Sequence, residues 1–374
     1  MEQEENVTGK FRIAFFGSSL VSAYWNGAAT YYRGLIKALH GRGHSVTFFE
    51  PDAYDRQKHR DIEDPSYAKS VVYPATGDGV RGALKNAADY DVVVKASGVG
   101  CFDGLLEEAV LDLKKSGSLV VFWDVDAPAT LDRMRNDPSD SFLRLIPEYD
   151  VVFTYGGGDP VVDAYVSAGA RKCVPVYNAL DPDTHHPVPS QQRFQCTLGF
   201  LGNRMPDREQ RVMEFFFKPA ESLPGHNFIL GGNGWKSNAP ELPNVQKLGH
   251  VYTEEHNAFN CSATAVLNIN RQSMADYGFS PPTRIFEAAG AGACMITDAW
   301  EGIECFLKPG SECLVASDGA DVAEIVKSLD RATAKRIGNA AREKILSSHT
   351  YSHRAEIVEK VLGCFSESRK EVAL

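Results

Sequence analysis

Short uninterrupted apolar runs recur along this chain, separated by stretches whose apolar residues repeat every three or four positions. Phe11 to Gly17 is one such run; Ser18 to Gly27 reads as a loop, and Tyr31 to His40 has helical spacing. After the turn Gly43-His44-Ser45, Val46 to Phe49 forms a second strand. The opening unit is therefore βαβ, which predicts a parallel sheet. Strand Asp91 to Lys95, helix Asp103 to Lys115, and strands Ser118 to Trp123, Asp150 to Thr154 and Val174 to Tyr177 continue the series. Their apolar runs do not alternate with polar residues, as expected of strands covered on both faces.

Asp181 to Arg193 breaks the pattern with proline, histidine and polar residues and reads as a domain linker. A second series follows: strand Thr197 to Leu201, helix Arg208 to Lys218, strands Asn227 to Gly231 and Val245 to Leu248, helix Glu254 to Cys261, and strand Ala265 to Ile269. Helix Thr283 to Gly290, strand Cys294 to Thr297 and helix Ala320 to Leu329 complete it. The expected fold is α/β, with two Rossmann-like doubly wound domains facing a cleft. The boundaries read as 1–185 for the first domain, 194–350 for the second, and 351–374 for a closing helix that packs back toward the first.

Composition narrows the function classes. A chain of 374 residues suits two domains, and 43% hydrophobic with 24% charged residues is an ordinary globular mix. A net charge of −10 disfavours nucleic-acid or anionic-membrane binding through bulk charge, so any phosphate needs a local site. The polar N-terminal run and the absence of a long apolar segment predict neither export nor a membrane span. Eight cysteines without a C-x-x-C pair read as thiols in a reducing cytoplasm.

The segment from Ser280 to Gly292 is the richest in chemistry. Two prolines precede Thr283, and Ser280 or Thr283 could cap the helix that follows. Its N-terminus suits a diphosphate, Arg284 could add a charged contact, and Glu287 one turn on could accept hydrogen bonds from ribose hydroxyls or simply face solvent. Asn203, Arg204 and Arg208 follow the first strand of the second series. Either arginine could bind phosphate bidentately or pair with Asp207 and Glu209 at the surface. His250 and Val251 follow another strand, where backbone groups could read a base edge, and Arg271 ends the next and could reach phosphate or sugar. Gly231 to Gly234 could admit a ligand close to the backbone or make a plain turn.

In the first series, Asp124 and Asp126 lie at the end of a strand. Such a pair can hold a divalent metal, but arginines in the second series offer a metal-free alternative. The preferred reading has Asp124 or Asp126 binding acceptor hydroxyls or acting as base, beside a plain loop-capping role. His349 and His353 are spaced for one helix face but have no evident third ligand, so no metal site is expected.

Phe200-Leu201-Gly202-Asn203, Thr283-Arg284-Ile285-Phe286-Glu287-Ala288, Ile296-Thr297-Asp298 and His349-Thr350-Tyr351 with Arg354 together resemble the CgeB-like glycosyltransferases, a branch of the GT-B class related to the group 1 families. The resemblance implies a donor held mainly by the second domain, an acceptor held by the first, and transfer without an essential metal or other cofactor. It implies that Glu287 binds the donor ribose. Phe279 stands where group 1 enzymes often carry a second glutamate. The expected reaction moves a sugar from a nucleoside diphosphate sugar to an unidentified acceptor, with Arg204, Arg284 and the Thr283 helix start receiving the leaving diphosphate. A nucleotide-sugar epimerase or hydrolase, or a non-catalytic sugar-nucleotide-binding module, is the alternative.

Overall fold

The computed structural model describes residues 9–235 and 239–372. The polar run before Gly9 and the last two residues lie outside the described residues. The chain divides into two compact units, one reaching Tyr177 and including the residues from Tyr351 onward, the other spanning Asn178–Thr350.

The first unit is built on seven parallel strands: β1 (Arg12–Phe16), β2 (Ser45–Asp52), β3 (Lys69–Pro74), β4 (Val92–Ala96), β5 (Leu119–Asp124), β6 (Val151–Thr154) and β7 (Cys173–Pro175). Their order is β3-β2-β1-β4-β5-β6-β7. Ile13 pairs with Val46 on one side and Val92 on the other, so the most apolar runs occupy the middle. Strand β3 escaped the sequence pattern because only Tyr73 in it is buried, as befits an edge. Helices Gly77–Asn86, Ala127–Asn136 and Gly158–Ser167 lie outside the expected elements; each carries Gly or Pro in its first turn, which weakens the helical signal.

Helix Tyr351–Val372 packs on helix Ala29–Gly41. Gly34 makes the contact possible, because a Cβ there would lie 2.1 Å from the Tyr351 ring. Arg42 reaches Glu356 at 3.2 Å and also pairs with Glu359. His44 lies between this helix and β1, 2% exposed and stacked on Phe11, and its Nδ1 accepts the Phe11 N–H at 3.1 Å.

That bond requires a neutral ring. Burial pushes the His44 pKa below its usual 6.5, although Glu359 pulls the other way. A histidine with a lowered folded pKa contributes stability above 6.5 that is lost as pH falls from 6.5 through the folded value. The urea midpoint of the native chain should therefore fall between pH 7 and pH 5 by more than that of His44→Asn. Parallel profiles for the two proteins would remove His44 from the acid response.

The second unit carries six parallel strands: β8 (Leu198–Leu201), β9 (Phe228–Gly231), β10 (Val245–Gly249), β11 (Ala265–Asn268), β12 (Met295–Asp298) and β13 (Leu314–Ala316). Their order is β10-β9-β8-β11-β12-β13. The chain thus runs outward from β8 to β10, returns to the other side of β8, and runs outward again. The three-residue β13 is too short to read from sequence. The helix expected from Arg208 starts instead at Pro206 and passes through a π-helical turn, Met213–Phe217. Widening the turn lets the consecutive residues Phe215, Phe216 and Phe217 all enter the core, which α-helical spacing would not allow.

Candidate functional site

In an open parallel sheet, ligands collect beyond the carboxyl ends of the strands where the chain reverses its direction of winding. In the second unit that point lies between β8 and β11. Arg284, in the first turn of helix Thr283–Gly290, spans it: Nη1 donates to Asn268 Oδ1 at 2.9 Å at the end of β11, and Nη2 donates to the Leu201 carbonyl at the end of β8. Asn268 is itself oriented by donating to Thr297 Oγ1 at 3.0 Å and to Asn270 Oδ1 at 3.2 Å.

Arg208 lies beside it. Both guanidinium groups stand over the Phe200 ring, Arg284 at 5.2 Å and Arg208 at 5.7 Å from its centre. Arg208 donates to the Asn203 carbonyl at 2.6 Å, while its buried Nε has no protein partner. Burial, with Arg284 next to it, brings the Arg208 pKa down to about 10; burial also lowers that of Arg284, against the pull of Glu287 and Asp298. Among the described residues no carboxylate stands within ion-pair distance of either.

The other arginines near the strand ends are neutralised. Arg204 pairs with Glu209 at 2.7 Å, Arg271 with Asp207 at 2.6 Å, and Arg211 with the fully buried Asp298 at 2.6 Å. Arg204, expected to receive the leaving group, thus has a carboxylate partner, whereas Arg208 has none among the described residues. Arg271 likewise has its charge answered inside the protein. Arg211 Nε and Asn270 Nδ2 are further buried donors without a protein partner. Buried donors left unpaired cost free energy in water-free surroundings, so a cluster of them beside two unneutralised arginines is a place for an anion.

Helix Thr283–Gly290 follows from its sequence: a Pro282 N-cap, apolar Ile285, Phe286, Ala288 and Ala289 turned inward, and Gly290 packed where a Cβ would lie 2.4 Å from Leu180 and 2.9 Å from the His185 carbonyl. Neither Ser280 nor Thr283 caps it, since the N-cap position is the proline and makes no side-chain bond. Ser280 is buried, Thr283 half-buried. Glu287 is not simply solvent-facing: its carboxylate lies 3.8 Å from His185 Nε2 and is a quarter exposed. His256 interacts with both; burial, the largest influence, lowers its pKa, with Glu287 opposing and His185 adding to the shift. His185 and His256 had no sequence signal, because they meet Glu287 from segments about 100 and 30 positions away.

His250 and Val251 lie at the end of β10, two strands from the reversal. Val251 is buried, and exposed His250 contacts Tyr252 edge-on at 4.6 Å. Gly231 makes room for the Leu201 and Val251 side chains, and Gly232 admits protein backbone. A Cβ on Gly232 would lie 2.2 Å from the Gly202 carbonyl, and the loop is tied by Asn233 N to Asn203 Oδ1 at 2.9 Å and Trp235 Nε1 to the Gly202 carbonyl at 2.7 Å. Phe279 takes a left-handed backbone, φ 43°, and its ring fills the space that a side chain on Gly302 would need.

In the first unit the two carboxylates separate. Asp124 is fully buried and accepts from Ser97 Oγ at 2.7 Å, Thr130 Oγ1 at 3.1 Å, the Asp126 amide at 3.0 Å and the Tyr165 hydroxyl. With its lone pairs used in this way it organises the loop after β5, the loop-capping role set beside that of a base. Asp126, at the N-cap of helix Ala127–Asn136, is exposed. His349 closes helix Arg331–Ser348 and precedes the helix that carries His353, so the two do not share a helix face. No helix among the described residues is long and apolar enough to cross a membrane.

The family described as glycosyl transferase-like matches residues 208–360. No curated protein sequence matches. Among solved structures, HepE from Anabaena in complex with UDP and glucose superposes with a TM-score of 0.64 at 14% identity, over 95% of this chain and 100% of that one. Sucrose-phosphate synthase from Thermosynechococcus elongatus gives 0.67 at 14% identity, over 97% and 99%. An alpha-glucosyltransferase in complex with UDP-glucose and DNA containing an abasic site gives 0.69 at 16% identity, over 95% and 100%. The chain thus has the two-domain GT-B fold of glycosyltransferases, and its residues 208–360 match the glycosyl transferase-like family.

Proposed function

We propose that this glycosyltransferase takes its sugar from a uridine diphosphate sugar held at the ends of β8 and β11 and passes it to a hydroxyl acceptor. The observation that carries the reading is the pair Arg208 and Arg284, adjacent, desolvated and without carboxylate partners. A diphosphate supplies the missing counter-charge and accepts from Arg208 Nε, while the first turn of helix Thr283–Gly290 adds its partial positive charge. Negative charge grows on the diphosphate as the bond to the anomeric carbon breaks. Donors fixed in advance by Phe200, Asn268 and the Leu201 carbonyl meet it without reorganising. Glu287, one turn along the same helix, accepts from the ribose hydroxyls, and His185 holds its carboxylate in place. The uridine complexes of HepE and the alpha-glucosyltransferase support the choice of base. Charge compensation is assigned to the arginines, so the transfer is metal-independent and should persist in EDTA.

Titration calorimetry tests the site. Arg208→Ala should weaken UDP by about ten-fold or more while leaving uridine little changed, and Glu287→Ala should weaken both. Unaltered UDP affinity in both folded variants would remove the site from these residues.

A further inference from the structure

The first unit also reverses its winding, between β1 and β4, and the loops leaving β1, β2 and β4 meet there around one buried cation. Arg56, 5% exposed, donates from Nη1 to the Ser18 carbonyl at 3.1 Å and the Val99 carbonyl at 3.3 Å, and from Nη2 to the Trp25 carbonyl at 3.4 Å. Its guanidinium also lies 5.0 Å from the centre of the Tyr54 ring, whose hydroxyl donates to the Gly100 carbonyl. Around this hub the unit shows its aromatic rings to solvent: Tyr24 at 41%, Trp25 at 82%, Tyr54 at 56% and Phe102 at 42% exposure. Tyr24 is stacked on His59 at 4.1 Å.

The backbone is strained to present them. Trp25, Tyr54 and Phe102 have φ of 48°, 57° and 55°, in the left-handed region that bulky side chains avoid, and Asp55 beside them has 56°. Among the described residues only Phe279 elsewhere shares this conformation without being glycine. Strain of this kind persists where surrounding structure enforces it and concentrates at ligand sites. Burying the rings would satisfy the hydrophobic effect; here the fold spends stability to keep three of them outward.

Charge decides what they receive. The exposed cations of the flanking segment are paired, Lys58 with Asp55 at 2.7 Å and Arg60 with Asp64 at 2.8 Å, and Arg33 is paired with Asp61 at 2.8 Å. The chain as a whole is acidic at −10. A polyanion such as single-stranded nucleic acid would stack on aromatic rings but needs exposed unpaired cations along its backbone, and the exposed lysine and arginine beside these rings, Lys58 and Arg60, are paired while Arg56 is buried. A neutral sugar ring fits: its C–H face lies on an aromatic ring, and its hydroxyls remain in water or reach loop carbonyls.

We propose that Tyr24, Trp25, Tyr54 and Phe102, held by Arg56, form a stacking platform for a neutral saccharide, which serves as the acceptor. Its service as acceptor rests on the donor site proposed above; the stacking does not. Trp25 reports on the platform directly, because the other tryptophans, Trp123, Trp235 and Trp300, are 1%, 2% and 6% exposed. Acrylamide quenching should be followed with maltotriose, cellotriose, xylotriose and mannotriose at up to about 10 mM, and with the oligonucleotide dT12, each on the full chain. At least one trisaccharide should protect Trp25 saturably, lowering the quenching constant by about three-fold, and Tyr24→Ala and Tyr54→Ala should each weaken that protection by about five-fold while UDP affinity stays unchanged. The proposal is overturned if no trisaccharide protects Trp25, if dT12 protects and the trisaccharides do not, or if neither variant alters protection. Loss of the donor reading registers separately, as absent UDP binding to the native chain, and leaves the fluorescence result standing.

Discussion

Replacing Arg284 by alanine is expected to lower the affinity for UDP-glucose by about 100-fold, or about 2.7 kcal/mol. Two charge-assisted hydrogen bonds to phosphate oxygens account for that size in a desolvated site. The same change strips the Leu201 carbonyl and Asn268 Oδ1 of their donor, so the fold should lose about 2 kcal/mol as well. Arg284→Lys separates the two effects. It keeps the charge but cannot span both acceptors with a planar fork, so it should recover part of the binding and little of the stability. A folded Arg284→Ala protein that binds UDP-glucose as tightly as the native chain would show that the phosphates sit elsewhere.

Asp124→Ala should produce the largest loss of stability, about 3 kcal/mol or more, and a fall in Tm of about 8 °C for the first unit. The residue is fully buried, and its removal leaves Ser97, Thr130, Tyr165 and the Asp126 amide without their acceptor. Asp126→Ala is the comparison: the side chain is exposed, so Tm should move by less than about 2 °C. If Asp126 serves as the base, kcat should fall in that variant while the UDP Kd holds. A Tm for Asp124→Ala within error of the native value would contradict the role given to its hydrogen bonds.

The two carboxylates illustrate how far residue type carries a functional reading. Asp124 and Asp126 look equivalent along the chain, two residues apart at the end of β5. What distinguishes them is a tyrosine about 40 positions later and a serine about 30 earlier, which reach only Asp124. The arginines teach the same lesson. Arg204 and Arg208 both follow β8 with acidic neighbours, and either could have been the unpaired one. Glu209 takes Arg204, Asp207 takes Arg271, and Arg208 is left over Phe200 beside Arg284.

By itself the sequence determined the two parallel sheets and the helix from Thr283 to Gly290. These depend on apolar runs and spacings within a dozen residues, and burial on both faces leaves a local record of itself. It also pointed to the ends of β8 and β11, because strand order places loops there whatever their side chains do. Only the tertiary structure decided which charges remain unanswered, that Asp124 is spent on its own loop, and that three separate loops, each bearing an exposed aromatic ring, meet at Arg56. Each of those depends on partners tens of residues away, whose distances are set by how the strands stack in the sheet and are not written in any one segment.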